Sequence, residues 1–134
     1  MIKIIFCLRR RPALSRQAFT DYWLNAHGPL VRRLAGDLRI QRYVQSHTLL
    51  DDRLIPLIHA RSAEPESFDG VAELWWRSAD DIFAVGRTDA GVAAGQALLA
   101  DERTFIDLAR SPLFFAHEHE IVPGQEAPAA GGLR

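Results

Sequence analysis

Hydrophobic and polar positions divide the chain into four strand-like segments and two helical regions. Residues 2–8 are apolar except for Lys3, a pattern typical of a buried strand. Ser15 suits a helix N-cap, and the apolar side chains from Phe19 to Leu34 are spaced by three or four, which predicts one face of a helix. The predicted elements are a strand at 2–8, a helix at 16–26 with a further turn or two to about 35, strands at 39–48 and 70–77, helical pieces between 79 and 108, and a strand at 114–122.

Several segments are expected to interrupt these elements. Gly28-Pro29 should break the first helix, because proline lacks an N–H and disfavours helical geometry in the residue before it. The second helical region should begin at Ser78, as the N-cap of a capping box, and break near Gly86 and Gly91. Residues 49–69 contain two prolines, several charges and no clear period. We expect them to form a functional loop, an arm or an extended edge.

The order β-α-β-β-α-β is the split βαβ or ferredoxin-like arrangement, an α+β fold. Two helices cover one face of its four-stranded antiparallel sheet. The strand at 70–77 is apolar on both faces, because Trp75 and Trp76 point to opposite sides and cannot both lie under the helices. A second apolar face implies a partner. We expect a second copy of the chain, which would give a dimeric α/β barrel with a cavity between the two sheets.

The composition is that of one ordinary globular domain. The 134 residues are 48% hydrophobic and 25% charged, and the domain is predicted at 1–122 with a flexible tail at 123–134. The single cysteine, Cys7, excludes a disulfide framework. No apolar run approaches the roughly 20 residues that a membrane span needs, so we expect a soluble, cytoplasmic protein without a membrane partner.

The charges are balanced overall but unevenly distributed. The formal net charge of -1 argues against a nucleic-acid partner. The part up to Ser67 has 11 basic and 6 acidic residues, and the part from Phe68 has 5 basic and 11 acidic residues. Such halves suit either self-association or pairing within one monomer. The run Arg9-Arg10-Arg11 is expected to be a solvated loop.

Three segments of the sequence resemble the EthD family, named for a protein associated with ethyl tert-butyl ether degradation. Residues 10–30 carry arginine-proline, Leu-Ser, Phe, Tyr-Trp and His-Gly-Pro in the family's order and spacing. The strand Gly-Val-Ala-Glu-Leu-Trp-Trp is similar, as is 101–107, where Asp101-Glu102 precede Phe105 and Asp107. The likeness covers about 2–122. It implies a dimeric α/β barrel, in a superfamily of polyketide cyclases, isomerases, monooxygenases, haem-degrading enzymes and proteins without assigned activity.

Two positions carry over from the matched motif, His27 and Trp23, which lie one helical turn apart and face the same side. An imidazole titrates near neutral pH and can move a proton at a carbon next to a carbonyl, so His27 is the candidate acid/base. The alternative is a histidine that caps the broken helix end, where the helix dipole favours its charged form. No carboxylate lies at a helical spacing suited to tune His27.

Alternation along three strands groups the remaining candidates. The residues that share a face are Tyr43, Gln45 and His47 on the second strand, Val71, Glu73 and Trp75 on the third, and Phe115, His117 and His119 on the fourth. If these faces line one cavity, it combines an aromatic wall with a few converging polar groups, as an aromatic ligand needs. The predicted site has His27 and Glu73 as catalytic residues and Trp23, Tyr43, His47, Trp75 and His117 as substrate-binding residues.

No cofactor or metal is expected. The sequence lacks a dinucleotide fingerprint, a glycine-rich phosphate loop and a nucleophile elbow. His117 and His119 could share a metal ion, but only Glu73 or His47 could complete its ligand set, so we favour a site without metal.

The predicted function is that of a cofactor-independent enzyme on a small hydrophobic, aromatic or polyketide-like compound. Its ligand would lie between the sheet and the first helix, and the reaction would be lyase, cyclase or isomerase chemistry by proton transfer, in catabolism or secondary metabolism. A cofactor-free monooxygenase is a variant. The alternative is a non-catalytic dimer that binds a hydrophobic metabolite, or an accessory protein of a degradation pathway.

Overall fold

The computed structural model describes residues 1–63 and 68–125. The strands are β1 (Ile2–Leu8), β2 (Arg42–His47), β3 (Gly70–Trp76) and β4 (Leu113–Ala116). The α-helices are α1 (Arg16–Tyr22), α2 (Gly28–Leu34), α3 (Ile55–His59), α4 (Ala79–Val85) and α5 (Asp89–Phe105). A π-helical turn at Trp23–His27 joins α1 to α2, and short 3-10 turns occupy Asp52–Leu54 and Leu108–Arg110.

The four strands form one antiparallel sheet in the order β2-β3-β1-β4. This arrangement confirms the predicted α+β, ferredoxin-like fold. The register sets Phe6 opposite Ala72, and Tyr43 opposite Leu74. Because side chains alternate along each strand, these residues share one face of the sheet. We call it the helix face, because the core beneath the helices includes Phe6, Ala72 and Leu74.

The core lies between the helix face and two helices, α1 and α5. Phe19 and Phe105 are fully buried and pack with ring centroids 5.5 Å apart, and Trp23 lies 5.6 Å from Phe19. Aromatic pairs at such distances add to the free energy already gained by burying their area. Because Trp23 is part of this core, the helical turn that carries it is fixed against the sheet.

The first helical stretch differs from its prediction, because Gly28-Pro29 does not break it. Pro29 has no N–H, and its ring crowds the carbonyl four residues earlier, so ordinary α-helical bonding cannot continue past it. The chain instead widens into the π-helical turn, where the Gly28 N–H donates to the Trp23 carbonyl, and then continues as α2. His27 therefore lies inside a continuous helical stretch and does not cap a broken end.

The second helical region confirms its predicted start. The Ser78 hydroxyl accepts the Asp81 N–H at 3.3 Å, as the Ser15 hydroxyl accepts the Ala18 N–H at 3.1 Å at the start of α1. The chain leaves α4 at Gly86, near the predicted break. Gly91 lies within the first turn of α5, so the second predicted break is wrong.

The segment expected to be a loop, arm or edge has structure of its own. It contains the 3-10 turn at Asp52–Leu54 and α3, whereas residues 64–67 lie outside the described part. The outer strands are shorter than predicted, since β2 covers Arg42–His47 and β4 ends at Ala116. Most of the predicted tail, residues 126–134, also lies outside the described part.

The two tryptophans of β3 point to opposite faces, as predicted, yet both are buried within the single chain. Trp76 belongs to the core on the helix face, and its indole N–H donates to the Leu38 carbonyl at 2.7 Å. Trp75 is 6% exposed on the other face, between Lys3 Nζ at 4.9 Å and the Arg42 guanidinium at 4.6 Å from its ring. The burial of Trp75 therefore does not require a second copy.

Candidate active site

His27 is buried in the helical stretch above the sheet. Its side chain sits at the last position of the π-helical turn and is 4% exposed. The imidazole packs against the Phe105 ring, with centroids 4.9 Å apart. An imidazole in such a place loses its hydration, which disfavours its charged form.

A carboxylate from α5 holds this imidazole. His27 Nδ1 lies 2.7 Å from Asp101 Oδ2, and the Tyr22 hydroxyl donates to the other oxygen, Oδ1. Because a carboxylate accepts hydrogen bonds, Nδ1 carries the ring proton and donates a hydrogen bond to Asp101. In neutral His27 the lone pair is then on Nε2, which has no hydrogen-bond partner within residues 1–63 and 68–125.

The electrostatic surroundings favour neutral His27. Burial lowers its pKa from the ordinary value, and the interaction with Asp101 opposes this shift without cancelling it. The hydrogen bond to Asp101 also raises the pKa of the Tyr22 hydroxyl. In this cluster His27 is therefore the candidate base, Asp101 is the carboxylate that orients it, and the Tyr22 phenol holds the carboxylate in place.

A second titratable group, Glu102, lies in the same small cavity as His27. We call this space, between α5 and the helix face, the inner cavity; its volume is about 20 Å³. It is lined by apolar Phe6, Leu8, Trp23, Val31, Ala72, Leu74, Leu98 and Ile106, and by polar His27, Tyr43 and Glu102. Burial, and secondarily the adjacent charge of Asp101, raises the pKa of Glu102 to about 7. A neutral histidine and a carboxyl that is half protonated near neutral pH form a suitable base and acid.

A much larger open cleft lies beside the inner cavity. This outer cleft has a volume of about 740 Å³ and runs between the helical stretch, from Leu24 to Ala35, and the strand region from Ile40 to His47. Val31 and Tyr43 line both spaces, so their side chains form the partition between them. A ligand of substrate size fits the outer cleft, and it reaches His27 only where this partition opens.

A hydrogen-bond chain along β2 fixes the partition. Gln45 Nε2 donates to the Trp23 carbonyl at 2.8 Å and to the Tyr43 hydroxyl at 2.9 Å, and Gln45 Oε1 lies 2.8 Å from His47 Nε2. The His47 ring stacks on Trp23 with centroids 4.4 Å apart. Burial raises the pKa of Tyr43 and lowers that of His47, so both are neutral near pH 7.

Glycine at position 70 allows Trp23 to approach β3. A Cβ built on Gly70 would lie 2.5 Å from Trp23 Cζ3 and 2.6 Å from the Ser46 carbonyl oxygen. Real Cβ atoms do not approach other atoms so closely, so any larger residue would displace the indole or the strand. The backbone of β3 therefore sets the position of the tryptophan that packs on His47.

The structure brings together four of the seven predicted site residues. His27, Trp23 and Tyr43 line the inner cavity, and His47 lines the outer cleft beside Tyr43. The expectation that Glu73 and Trp75 lie on the same face of the sheet as Tyr43 and His47 is wrong. Tyr43 pairs with Leu74, so Glu73 and Trp75 point to the opposite side of the sheet. There Glu73 forms an ion pair with Lys3 at 2.5 Å.

His117 is also remote from the cavity where it was expected. β4 ends at Ala116, and His117 is exposed beyond it. The sheet order puts β4 at the edge opposite β2, with β1 and β3 between them. β2, which carries Tyr43, and β4, which ends just before His117, are therefore not neighbours, and matching parity along the sequence could not reveal this separation.

Sequence reasoning missed Asp101 and Glu102 as site residues. Asp101 is 74 residues from His27, so no local spacing connects them. Glu102 had a detectable signal, because it continues the inward stripe of Ala94 and Leu98 on α5 at a spacing of four. A carboxylate within an apolar helical stripe is costly to bury and indicates a function.

Neither a metal centre nor a membrane helix is found in the described residues. Across 1–63 and 68–125, no three histidine, cysteine, aspartate or glutamate side chains converge as a metal ion would require. Over the same residues, no helix combines the length and apolarity needed to cross a bilayer.

The fold and the buried site define an α+β ferredoxin-like domain with a histidine–carboxylate cluster beneath its helices. A family model for the EthD domain matches residues 11–109, and the chain belongs to this family. The resemblance of the sequence motifs to that family is thus confirmed. No curated protein gives a significant match.

Solved structures share this fold at low sequence identity. An EthD family protein from Bacillus halodurans is 21% identical with a TM-score of 0.59, over 89% of this chain and 99% of that one. A dimeric protein of unknown function and ferredoxin-like fold from Bacteroides fragilis is 11% identical with a TM-score of 0.54, covering 87% and 95%. SnoaB, described as a cofactor-independent oxygenase from Streptomyces nogalater, was solved as a mutant; it is 10% identical with a TM-score of 0.51, covering 92% and 97%.

Proposed function

We propose that the protein is a cofactor-independent enzyme that moves a proton on a small hydrophobic, aromatic or polyketide-like compound. The observation that carries this proposal is the buried His27, held at Nδ1 by Asp101 and sharing its cavity with Glu102. The reaction is of the lyase, cyclase or isomerase type, in which positioning and one proton transfer suffice.

Each group has a distinct chemical task in the proposed reaction. His27 Nε2 removes a proton from a carbon next to a carbonyl, and Asp101 stabilises the imidazolium that forms. Glu102, with a pKa of about 7, donates a proton to the carbonyl oxygen or to a leaving group. The apolar walls favour an aromatic ring over a polar metabolite. A monooxygenase variant would begin with the same proton removal, and the oxygenase description of SnoaB supports keeping that variant.

We propose a cytoplasmic homodimer as the working form. The face opposite the helices carries half-buried apolar side chains, among them Ile5, Val44 and Val71, and the half-exposed Phe114. The dimeric description of the Bacteroides fragilis structure supports this assembly.

The test uses aryl ketones and measures exchange of their α-protons for deuterium in D₂O by proton NMR. The wild type should accelerate exchange for the ketones that bind. His27→Gln should lose about 100-fold or more of this rate, the usual worth of a positioned acid or base, while binding persists. The exposed His59→Gln is the matched control and should retain the wild-type rate. Equal rates for wild type and His27→Gln would refute the assignment of His27.

A second candidate is a non-catalytic protein that binds a hydrophobic metabolite. One observation favours it: the inner cavity, at about 20 Å³, holds about one water molecule, whereas the ligand-sized space is the outer cleft. A ligand confined to that cleft would lie beside His47 and Gln45, separated from His27 by Val31 and Tyr43.

Binding data separate the two candidates. If the second is right, His47→Leu weakens ligand binding, His27→Gln leaves it unchanged, and no substrate in the panel turns over. If the first is right, His27→Gln abolishes turnover while the ligand still saturates the protein.

A further inference from the structure

The side chain of Gln45 joins its two neighbours on the helix face of β2. Its amide makes three hydrogen bonds, with the Trp23 carbonyl at 2.8 Å, the Tyr43 hydroxyl at 2.9 Å and His47 Nε2 at 2.8 Å. Alternation along the sequence assigned Gln45 to this face, but Gln45 was not among the predicted site residues. These contacts use both N–H groups and the oxygen of the amide, so each bond has one possible direction.

The direction of the chain follows from the Trp23 carbonyl. A carbonyl only accepts hydrogen bonds, so the amide atom of Gln45 that faces it is the nitrogen. An amide nitrogen donates and does not accept, so in its second bond the Tyr43 oxygen is the acceptor. The amide oxygen of Gln45 accepts from His47 Nε2, which therefore carries the ring proton. Donation runs from His47 to Gln45 and from Gln45 to the Tyr43 oxygen.

The proton of the Tyr43 hydroxyl is not used in this chain. Within residues 1–63 and 68–125 it has no acceptor at hydrogen-bond distance. Burial raises the pKa of Tyr43, and hydrogen bonds from Gln45 and Trp23 oppose that rise, as N–H groups directed at the phenol oxygen must do. The oxygen thus accepts from the protein, and the acceptor for its proton has to come from a bound ligand or from water.

The Tyr43 hydroxyl lies where the outer cleft meets the inner cavity. Its partner Gln45 lines the outer cleft, and Tyr43 lines both spaces. Burial is the main cause of the raised pKa of Tyr43, and the charge of Glu102 adds to it, so the phenol and this carboxyl of the inner cavity are neighbours. A ligand oxygen that accepts from Tyr43 is therefore held at the entrance to the cavity that contains His27.

We propose that Tyr43 donates the hydrogen bond that selects and orients the carbonyl oxygen of the ligand, and that Gln45 is the positioning residue that fixes this direction. The inference rests on the proposed class of small carbonyl-bearing ligand, but it holds whether or not the protein turns that ligand over. Where His27 removes a proton next to the carbonyl, the same hydrogen bond strengthens as negative charge grows on the oxygen.

The experiment compares two ligands of the same planar shape, acetophenone and α-methylstyrene, in which a methylene group replaces the carbonyl oxygen. Their dissociation constants are measured for the full-length protein by NMR titration. Wild type should bind acetophenone more tightly. Tyr43→Phe should lower this preference about threefold to tenfold, the usual worth of one neutral hydrogen bond, and leave the binding of α-methylstyrene unchanged. A purely structural role would weaken both ligands alike and leave the preference as it is.

Gln45→Glu tests the direction of the chain at pH 8. An ionised carboxylate accepts hydrogen bonds and cannot donate, so it should take the Tyr43 proton and abolish the ketone preference although Tyr43 is still present. Infrared spectra of bound ¹³C-carbonyl acetophenone give an independent readout. The carbonyl stretch should lie at lower frequency in wild type than in Tyr43→Phe or Gln45→Glu. Thermal unfolding without ligand will show that both variants fold.

Ser46→Ala is the matched control, because it removes an exposed hydroxyl from the opposite face of β2. It should keep the wild-type preference and carbonyl frequency. Equal affinity of the wild type for the two ligands, or no saturable binding of either, would overturn the proposal. A ketone preference that persists in Tyr43→Phe would do the same, and one that persists in Gln45→Glu would refute the role of Gln45.

The deuterium-exchange test keeps this inference separate from the proposed catalysis. A ketone preference that depends on Tyr43, in a protein that exchanges no α-protons, would support the role of Tyr43 and refute the enzyme. Exchange that depends on His27, with a ketone preference that Tyr43→Phe does not change, would support the enzyme and refute the role of Tyr43.

Discussion

Glu102 offers the sharpest test of the inner cavity, because its pKa makes the stability of the protein depend on pH. The pKa rises from the ordinary 4.5 to about 7 in the folded protein. Between those two values the folded chain holds a proton that the unfolded chain has released, so stability falls as pH rises through this window. One pKa unit corresponds to about 1.4 kcal/mol, so ionised Glu102 costs the folded state about 3 kcal/mol above pH 7.

Glu102→Gln should remove that cost, because the neutral amide resembles the protonated carboxyl in size and polarity. Below pH 4.5 the free energies of unfolding of variant and wild type should differ by a constant. The variant should then gain by about 1.4 kcal/mol per pH unit and level off about 3 kcal/mol higher above pH 7. His27 is present in both proteins, so its own titration largely cancels in the difference.

The assay is urea unfolding followed by tryptophan fluorescence, repeated from pH 4 to pH 9. Glu120→Gln, at an exposed position, serves as the control and should differ from wild type by an amount that does not follow this curve. A difference between Glu102→Gln and wild type that stays flat across the range would refute the reasoning. It would mean that Glu102 is hydrated, and the proposed acid would lose its physical basis.

Two further substitutions test how the site is held. Asp101→Asn should lower the pKa of His27 further, because the carboxylate is the group that opposes the effect of burial. An NMR titration of the imidazole measures this pKa, and an unchanged value would contradict the role assigned to Asp101. Gly70→Ala should destabilise the protein by about 1–3 kcal/mol in urea unfolding, because its Cβ collides with Trp23. Gly95→Ala has open space around it in α5 and should stabilise by up to about 1 kcal/mol, so equal effects of the two glycine substitutions would refute the packing argument.

The sequence predicts the fold better than it predicts the site. The elements of the fold follow from patterns within a few residues, whereas the site depends on contacts between residues far apart in the sequence. Strand and helix periodicity is local, so the element order and the caps at Ser15 and Ser78 were predictable. The path of the chain through Pro29 was not predictable from the sequence. Proline excludes ordinary α-helical hydrogen bonding there, but this fact alone does not decide whether the helix ends or widens into a π-helical turn. Packing of Trp23 and His27 against the sheet favours the second outcome.

The site depends on register, which alternation alone does not provide. Parity groups Tyr43 with His47, and Glu73 with Trp75, but it does not say which group shares a face with which. Only the pairing of Tyr43 with Leu74 decides that Glu73 lies on the other side. The partner of His27 is harder still, because α5 brings Asp101 to it from 74 residues away.

The case for a second copy also changes once the register is known. Two tryptophans on opposite faces of β3 suggested that one of them needs a partner chain, but Lys3 and Arg42 already cover Trp75. The apolar parts of the Lys3 and Arg42 side chains pack against Trp75, and their charged groups lie over its ring. Residues of the same sheet therefore shield Trp75 from solvent. The argument for the proposed dimer therefore moves from Trp75 to Phe114 on β4, whose side chain is 50% exposed in the described part of the chain. In the sheet formed by the described residues β4 is an edge strand, and an exposed phenylalanine on such a strand is the stronger physical reason to expect association.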